Sequence, residues 1–247
     1  MRFRIDTKGF DELGEMLAHL REDLPKATAM TLTFMGQAAK AAAAKEVLRA
    51  FDRPTPWTQK STYLKSAKVD NLQAEVYIKD LSINSLAHHI DGGKRRAKGM
   101  EKLLRSAGVL KGSWQYVVPG SGLKLDAFGN IPKGEINKIL SALKAQFDPL
   151  ANTTAKSRKR NKNQSRYFVI TGASSMVTRK RLPPGVWYRG GDGAQSYIKP
   201  LLIFVKSTAY QRRYRFFEVT EDAAADAMEA GVDKAIDTLR ARGRWWL

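Results

Sequence analysis

Cysteine is absent from the 247 residues, and histidine occurs only three times. Without thiols there are no disulfides, thiolate nucleophiles, zinc ribbons or iron–sulfur clusters, a composition that fits a reducing compartment. No run approaches the ~18 uninterrupted apolar residues of a transmembrane helix. The opening "MRFRIDTKGF" lacks the apolar core of a secretory signal, so the expectation is a chain that starts in a cytosol and meets no membrane. Carboxylates are scarce as well: 24 Asp and Glu stand against 43 Lys and Arg, for a formal net charge of +19. The shortage is sharpest between residues 151 and 200, where Asp192 is the one acid and the local balance is +10. A metal-dependent nuclease needs clustered carboxylates, and that region has none to offer.

Catalytic signatures are missing too. His88 and His89 are neighbours on an expected helix, which points their side chains roughly 100° apart and unsuits them to chelate one ion, and His19 falls on a polar helix face. "PGSGL" around Ser121 lacks the spacing of a nucleophile elbow. "YRGGDG" at 188–193 matches neither a Walker loop nor a dinucleotide fingerprint and reads as a surface turn. The expectation is a protein with no catalytic residue, no metal and no cofactor.

A 43% hydrophobic content is ample for a core. "RFRI" alternates like a strand. Helical periodicity runs through Phe10, Leu13, Leu17, Leu20 and Leu24, and Pro25 then suits the first turn of a second helix carrying Ala27, Met30, Phe34, Ala38, Ala41 and Leu48 as far as Pro54. "STYLKSAKV" and "QAEVYIKD" read as a hairpin joined at "DN". Next come a short helix ended by Gly92–Gly93, a basic turn, and a second amphipathic helix. The strand "SWQYVVPG" follows, and then a helix with Ile136, Ile139, Leu140, Leu143 and Phe147 on one side. From Asn152 to Arg166 almost nothing is apolar, which predicts a loop that is mobile or ordered by a partner. "RYFVITG" resumes β character, "RKRLPPGVWYRGGDG" reads as a turn-rich excursion, "KPLLIFVKS" as the most apolar strand and "RRYRFFEV" as another. "TEDAAADAMEAGVDKAIDTLRARG" reads as one complete helix with Thr220 as N-cap.

The expected fold class is α+β: an N-terminal helix pair and a C-terminal helix packed on a mainly antiparallel β-sheet, with long basic loops. It is read as a single domain over 1–247, with a basic insertion at about 151–166 and an excursion at about 178–196. The small side chains of "AAKAAAAKEVL" and of the C-terminal helix serve either close packing inside the domain or a subunit interface. Ala38, Ala41, Ala42, Ala227 and Gly231 are the candidates. Trp245, Trp246 and Leu247 either fold back on the body or anchor a neighbouring subunit.

Taken in order, these stretches resemble one known family. "FDELGEMLAHLREDLPKATAMTLTFMGQAAKAAAAKEV", "RPTPWTQKSTYLKSAKV" with "QAEVYIKD", "LAHHIDGGKRR", "DAFGNIPKGEINKILSAL", "KPLLIFV", "YQRRYRFFEV" and the closing helix are together similar to the tail-completion or minor tail protein Z family of tailed bacteriophages. The resemblance implies a structural virion protein at the neck, found in the host cytoplasm during assembly. It would be one subunit of a homo-oligomeric ring, a hexamer by analogy with the tail, that joins tail to head around the DNA channel. Implied partners are head-side connector or portal-associated proteins, tail tube or terminator proteins, and packaged double-stranded DNA.

Within "KSRKRNKNQSR", residues 156–166, six cations stand with no carboxylate. Lys156, Arg158, Lys159, Arg160, Lys162 and Arg166, with Arg179, Lys180 and Arg181 beyond, are the candidate contacts for DNA or an acidic partner. In a ring, like-charged loops converge and repel unless something anionic offsets them. An acidic protein is preferred, because a strong grip on DNA would hinder the genome's transit. The alternative function is a cytosolic, sequence-independent nucleic-acid-binding protein using residues 151–215.

Overall fold

The computed structural model describes residues 8–160, 166–171, 182–191 and 195–242. "RFRI" lies outside them. The fold is α+β with antiparallel sheets, and the chain divides into two compact units where a single domain is expected. A terminal unit comprises residues up to Leu86 together with those from Arg212 on, and a central unit spans Ala87–Gln211.

In the terminal unit the two expected N-terminal helices are one: α1 (Lys8–Ala50), 43 residues with Pro25 inside and about 65 Å long at 1.5 Å per residue. Pro25 removes a backbone hydrogen bond, and beyond it α1 buries Ala27, Ala29, Ala39, Ala43 and Val47. The short helix α2 (Pro56–Gln59) is capped by Thr55, whose hydroxyl accepts from the Thr58 N–H. Strands β1 (Thr62–Lys65) and β2 (Glu75–Ile78) form the expected hairpin, with Thr62 opposite Ile78; Lys68 and Asn71 exchange both backbone bonds around Val69–Asp70. Leu64 packs against α1 at Gly36, where a Cβ would lie 2.5 Å from it. Helix α3 (Asp80–Ile90) crosses from this unit into the next.

The last quarter of the chain departs from its periodicity. "RRYRFFEV" is not a strand: it is irregular as far as Arg215, and α7 (Phe216–Asp226) starts within it. The alternation of Tyr214 and Phe216 has a different cause, since both are buried and their rings meet edge to face, 5.8 Å apart, with Phe51 against Tyr214 at 5.9 Å. Thr220 is not an N-cap; it sits inside α7 and its hydroxyl donates to the Phe216 carbonyl. The expected single C-terminal helix breaks at Ala227, and α8 (Met228–Ala241) follows. Both helices pack on α1.

In the central unit Gly92 and Gly93 take positive φ, at 78° and 90°, and lead to β3 (Gly93–Lys94), which pairs with β8 (Ala209–Tyr210). Helix α4 (Gly99–Ser106) follows. The main sheet consists of β4 (Tyr116–Pro119), β5 (Tyr167–Ile170), β6 (Gly185–Gly190) and β7 (Tyr197–Val205), in the order β4-β7-β6-β5 with every pair antiparallel. The most apolar strand, β7, is therefore interior. Its Pro200 sits opposite a register shift at Val186/Trp187, where a missing N–H is tolerated. The "excursion" at 178–196 needs correction, because GVWYRG within it is β6. Leu104 of α4 and Ile139 and Leu140 of α5 (Lys133–Ala142) cover the sheet through Val117, Val186, Leu202 and Phe204. Since α5 ends at Ala142, Phe147 leaves the helix face it was expected to share and stands 91% exposed. The expected loop at 152–166 is corrected in part: it contains α6 (Ala155–Arg160).

Candidate cationic interfaces

The basic run begins on α6, where Lys156 and Lys159 are exposed. Arg158 and Arg160 belong to the same helix, with side chains outside the described residues. Lys162, Arg179, Lys180 and Arg181 also lie outside them, and Arg166 is half-buried immediately before β5. Upstream of α6, Phe147 and Leu150 are about nine-tenths exposed, so apolar and cationic side chains follow one another on this stretch.

The small-residue stripes lie within the chain's own packing. Gly231 is buried against α1: a Cβ there would meet Phe34 at 3.1 Å, and the Thr31 hydroxyl donates to the Gly231 carbonyl at 3.3 Å. Ala39 and Ala43 are buried, Ala38 and Ala42 half-buried, and Ala41 exposed. Ala227 is half-buried at the helix break. Gly231 thus serves the first of the two roles weighed for it, close packing on α1. Trp245, Trp246 and Leu247 lie outside the described residues.

Sequence reasoning missed what lies beside this packing. Between α1, the hairpin tip and α8 is a groove of about 690 Å³ with an apolar floor that includes Met30, Phe34 and Leu239. Among the described residues its polar wall holds Lys26, Lys68, Lys234 and Arg242 and not one carboxylate. Lys26 pairs outside the groove with Asp23 at 3.1 Å, and the Lys234 ammonium sits 4.7 Å over the Phe34 ring. Lys68 and Arg242 have no acidic partner among the described residues. A faint signal was present, because Lys234, Thr238 and Arg242 recur at four-residue steps beside the buried stripe of Gly231, Ala235 and Leu239.

The same terminal unit holds the opposite charge. Glu221, Asp222 and Asp226 on α7 and Glu229, Asp233 and Asp237 on α8 are exposed, and none has a basic partner among the described residues. On α8, Glu229 and Asp233 fall about 100° or more around the helix from Lys234 and Arg242, and Met228 and Val232 are exposed on the same helix.

A buried ion pair stiffens the central unit. The Arg95 guanidinium donates to both Glu101 oxygens, at 2.8 and 2.5 Å, and both side chains are buried. Glu101 also accepts from the backbone N–H groups of Val117 at 2.8 Å and Lys98 at 2.7 Å. Burial by itself pushes the Glu101 carboxyl up, but the guanidinium and the two N–H groups prevail and hold it below the usual carboxylate range. Arg95 lies 4.9 Å over the Tyr116 ring. This is a fully partnered structural clamp with no open position for a substrate.

His88 and His89 do not diverge as expected. Their rings are 4.2 Å apart, and both pack on Tyr210, at 4.5 and 4.9 Å. Among the described residues no three His, Asp or Glu side chains gather as metal ligands, and no helix is long and apolar enough to cross a membrane. Comparison with protein-family models, with curated proteins and with solved structures finds no match.

Proposed function

We propose that this chain is a structural virion protein of a tailed bacteriophage, one subunit of a ring at the head–tail junction that joins tail to head and surrounds the DNA channel. One observation carries the reading: among the described residues a single chain bears a groove lined by cations and no carboxylate and, on α7 and α8, a set of exposed acids with no basic partner. Complementary but non-identical surfaces on identical subunits make heterologous contacts, and such contacts close into rings when the rotation allows. The acidic ridge of one copy meets Lys26, Lys68, Lys234 and Arg242 of the next. A sixfold ring matches the symmetry of the tail. The exposed Phe147 and Leu150 and the cations of α6 then remain for other partners, whether acidic head-side connector proteins, tail proteins or the packaged DNA.

Two charge-reversed variants test this. Lys68→Glu/Lys234→Glu alters the groove and Glu229→Lys/Asp233→Lys the ridge. At low salt the unaltered chain should sediment as a closed oligomer and show rings in electron micrographs, and each variant alone should stay monomeric. An equimolar mixture should recover closed oligomers in which the two variants alternate, because the reversed groove of one is complementary to the reversed ridge of the other. If the unaltered chain stays monomeric at every concentration and mass spectrometry finds it missing from purified virions, the ring reading fails. Rings unaffected by either variant would remove the groove–ridge contact alone.

The alternative, a cytosolic sequence-independent nucleic-acid-binding protein, rests on the +10 balance of residues 151–200. It calls for tight, salt-sensitive shifts of arbitrary duplex DNA from a chain that does not assemble.

A further inference from the structure

Within the central unit, the turn that follows α5 holds two apolar side chains out in water. The helix ends at Ala142, and Lys144 takes a positive φ of 58°. The Ala145 N–H thereby reaches back to the Leu140 carbonyl at 2.8 Å, and Ala145 joins the core. From there the chain loops out and returns to the same helix. The Gln146 N–H donates to Asn152 Oδ1 at 3.0 Å, the Ser141 hydroxyl to the Ala151 carbonyl at 2.8 Å, and the Thr153 N–H to the Ser141 carbonyl at 3.2 Å. Asp148 caps the 3₁₀ turn Pro149–Ala151 by accepting from the Leu150 N–H at 2.9 Å. Ala145 and Thr153 are buried at the two stems, so the loop is closed at its base. Between the stems stand Phe147 and Leu150, more exposed than any other large hydrophobic side chain among the described residues. Neither packs in the core, so folding alone gives no reason for their being apolar.

Charge narrows what can cover them. Lys144 stands three residues before Phe147, and Lys156 and Lys159 follow on α6; all three are exposed and have no carboxylate partner among the described residues. The one acid between Lys144 and Arg160 is Asp148, already engaged by the Leu150 N–H. A surface that covers the loop meets these ammonium groups at its edge, where carboxylates complement them. The concavities of a second copy do not supply that combination. Among the described residues the groove beside α8 and the pocket at Trp114 present basic side chains and no carboxylate. In the cleft between α5 and the sheet, Glu135 is paired with Lys138, and Asp126 accepts from the N–H groups of Phe128 and Asn130. A lipid surface would accept a mobile loop as readily as a fixed one. A loop tied down at both stems lowers the ordering cost of entering a shaped pocket, which favours a protein.

We infer that Phe147 and Leu150 anchor a different protein, one that offers this loop an apolar pocket rimmed by carboxylates. The inference rests on the ring reading only in that the groove–ridge contact leaves this loop free. Photo-crosslinking tests it on the full chain, with Phe147→benzoylphenylalanine produced in the cells whose genome encodes the protein. Irradiation should yield an adduct with one other protein, at a peptide where Asp or Glu flanks apolar residues. The same photoprobe at Leu81, an exposed site of the terminal unit, should not yield it. Leu150→Ser should lower the adduct yield by about ten-fold, the loss expected on truncating an anchor. Lys156→Glu/Lys159→Glu should lower it as well, and Lys156→Arg/Lys159→Arg should preserve it. Thermal melting checks that each variant is folded. Adducts only with DNA, lipid, another copy of this chain or a peptide without carboxylates would each overturn the inference, as would no adduct or a yield unchanged in Leu150→Ser. Sedimentation of the same preparations separates the two readings. An oligomer without the adduct sinks the anchor and leaves the ring standing, and an adduct from a monomeric chain does the reverse.

Discussion

At the scale of single residues, the strongest constraint is a carboxylate that nothing in its sequence neighbourhood marks out. Glu101 reads as one acid among basic side chains on a short amphipathic helix, and only the folded chain shows it buried and accepting four hydrogen bonds. Removing one partner of a buried pair strands the other charge away from water. Glu101→Ala should therefore lower stability by about 3–5 kcal/mol in urea denaturation. The same site sets an acid limit. Glu101, and Glu46 through its bidentate pairing with Arg49 and the nearby Arg215, both titrate below the usual carboxylate range when folded. A depressed folded pKa gives stability that is complete above the unfolded carboxylate value and disappears as pH falls through the folded one. Urea midpoints should hold steady from pH 7 to about 5 and fall steeply below about 4; in Glu101→Gln the acid loss should be shallower.

At the scale of elements, periodicity identified most helices and strands, and its failures have local causes. The strand β6 was hidden because Pro183–Pro184 and the Gly190–Gly191 pair enclose it in turn chemistry. Yet Gly185 is a packing residue, with the Leu202 carbonyl 2.2 Å from where its Cβ would lie. The aromatic–basic stretch before α7 alternates because Tyr214 and Phe216 share one buried cluster, a pattern that an irregular lead-in produces as readily as a strand. The stripe at Gly231 was legible as a close contact but not as to its partner, which proved to be α1. Gly231→Val should push Phe34 and Thr31 apart and destabilise the chain by about 1–3 kcal/mol, read from the thermal midpoint. Val232→Ala, one position along on an exposed site, should change it little.

At the scale of the whole molecule, the charge excess is unevenly distributed, and that distribution matters more than the total. Against a net +19, the α7–α8 segment carries seven acids and only Lys234 and Arg240 as cations. An interface built from such surface charges is screened over the Debye length, about 10 Å at 0.1 M salt. Sedimentation at 50 mM and at 500 mM sodium chloride should therefore show the oligomer dissociating at the higher concentration. An oligomer indifferent to salt would have to be held by apolar contacts such as Phe147 and Leu150.

The sequence by itself determined the fold class, the hairpin, the helices α3, α4 and α5 and the location of the positive charge. Each follows from local propensity or from periodic burial, which act over a few residues. Tertiary structure alone decided that α1 runs unbroken through Pro25, that the chain leaves one unit after Leu86 and returns at Arg212, and that Glu101 is interior. It also set the cationic groove beside α8 and turned Phe147 and Leu150 out to solvent. Those outcomes depend on which distant surfaces exclude water together, and burial of that kind is a property of the assembled chain rather than of any stretch within it.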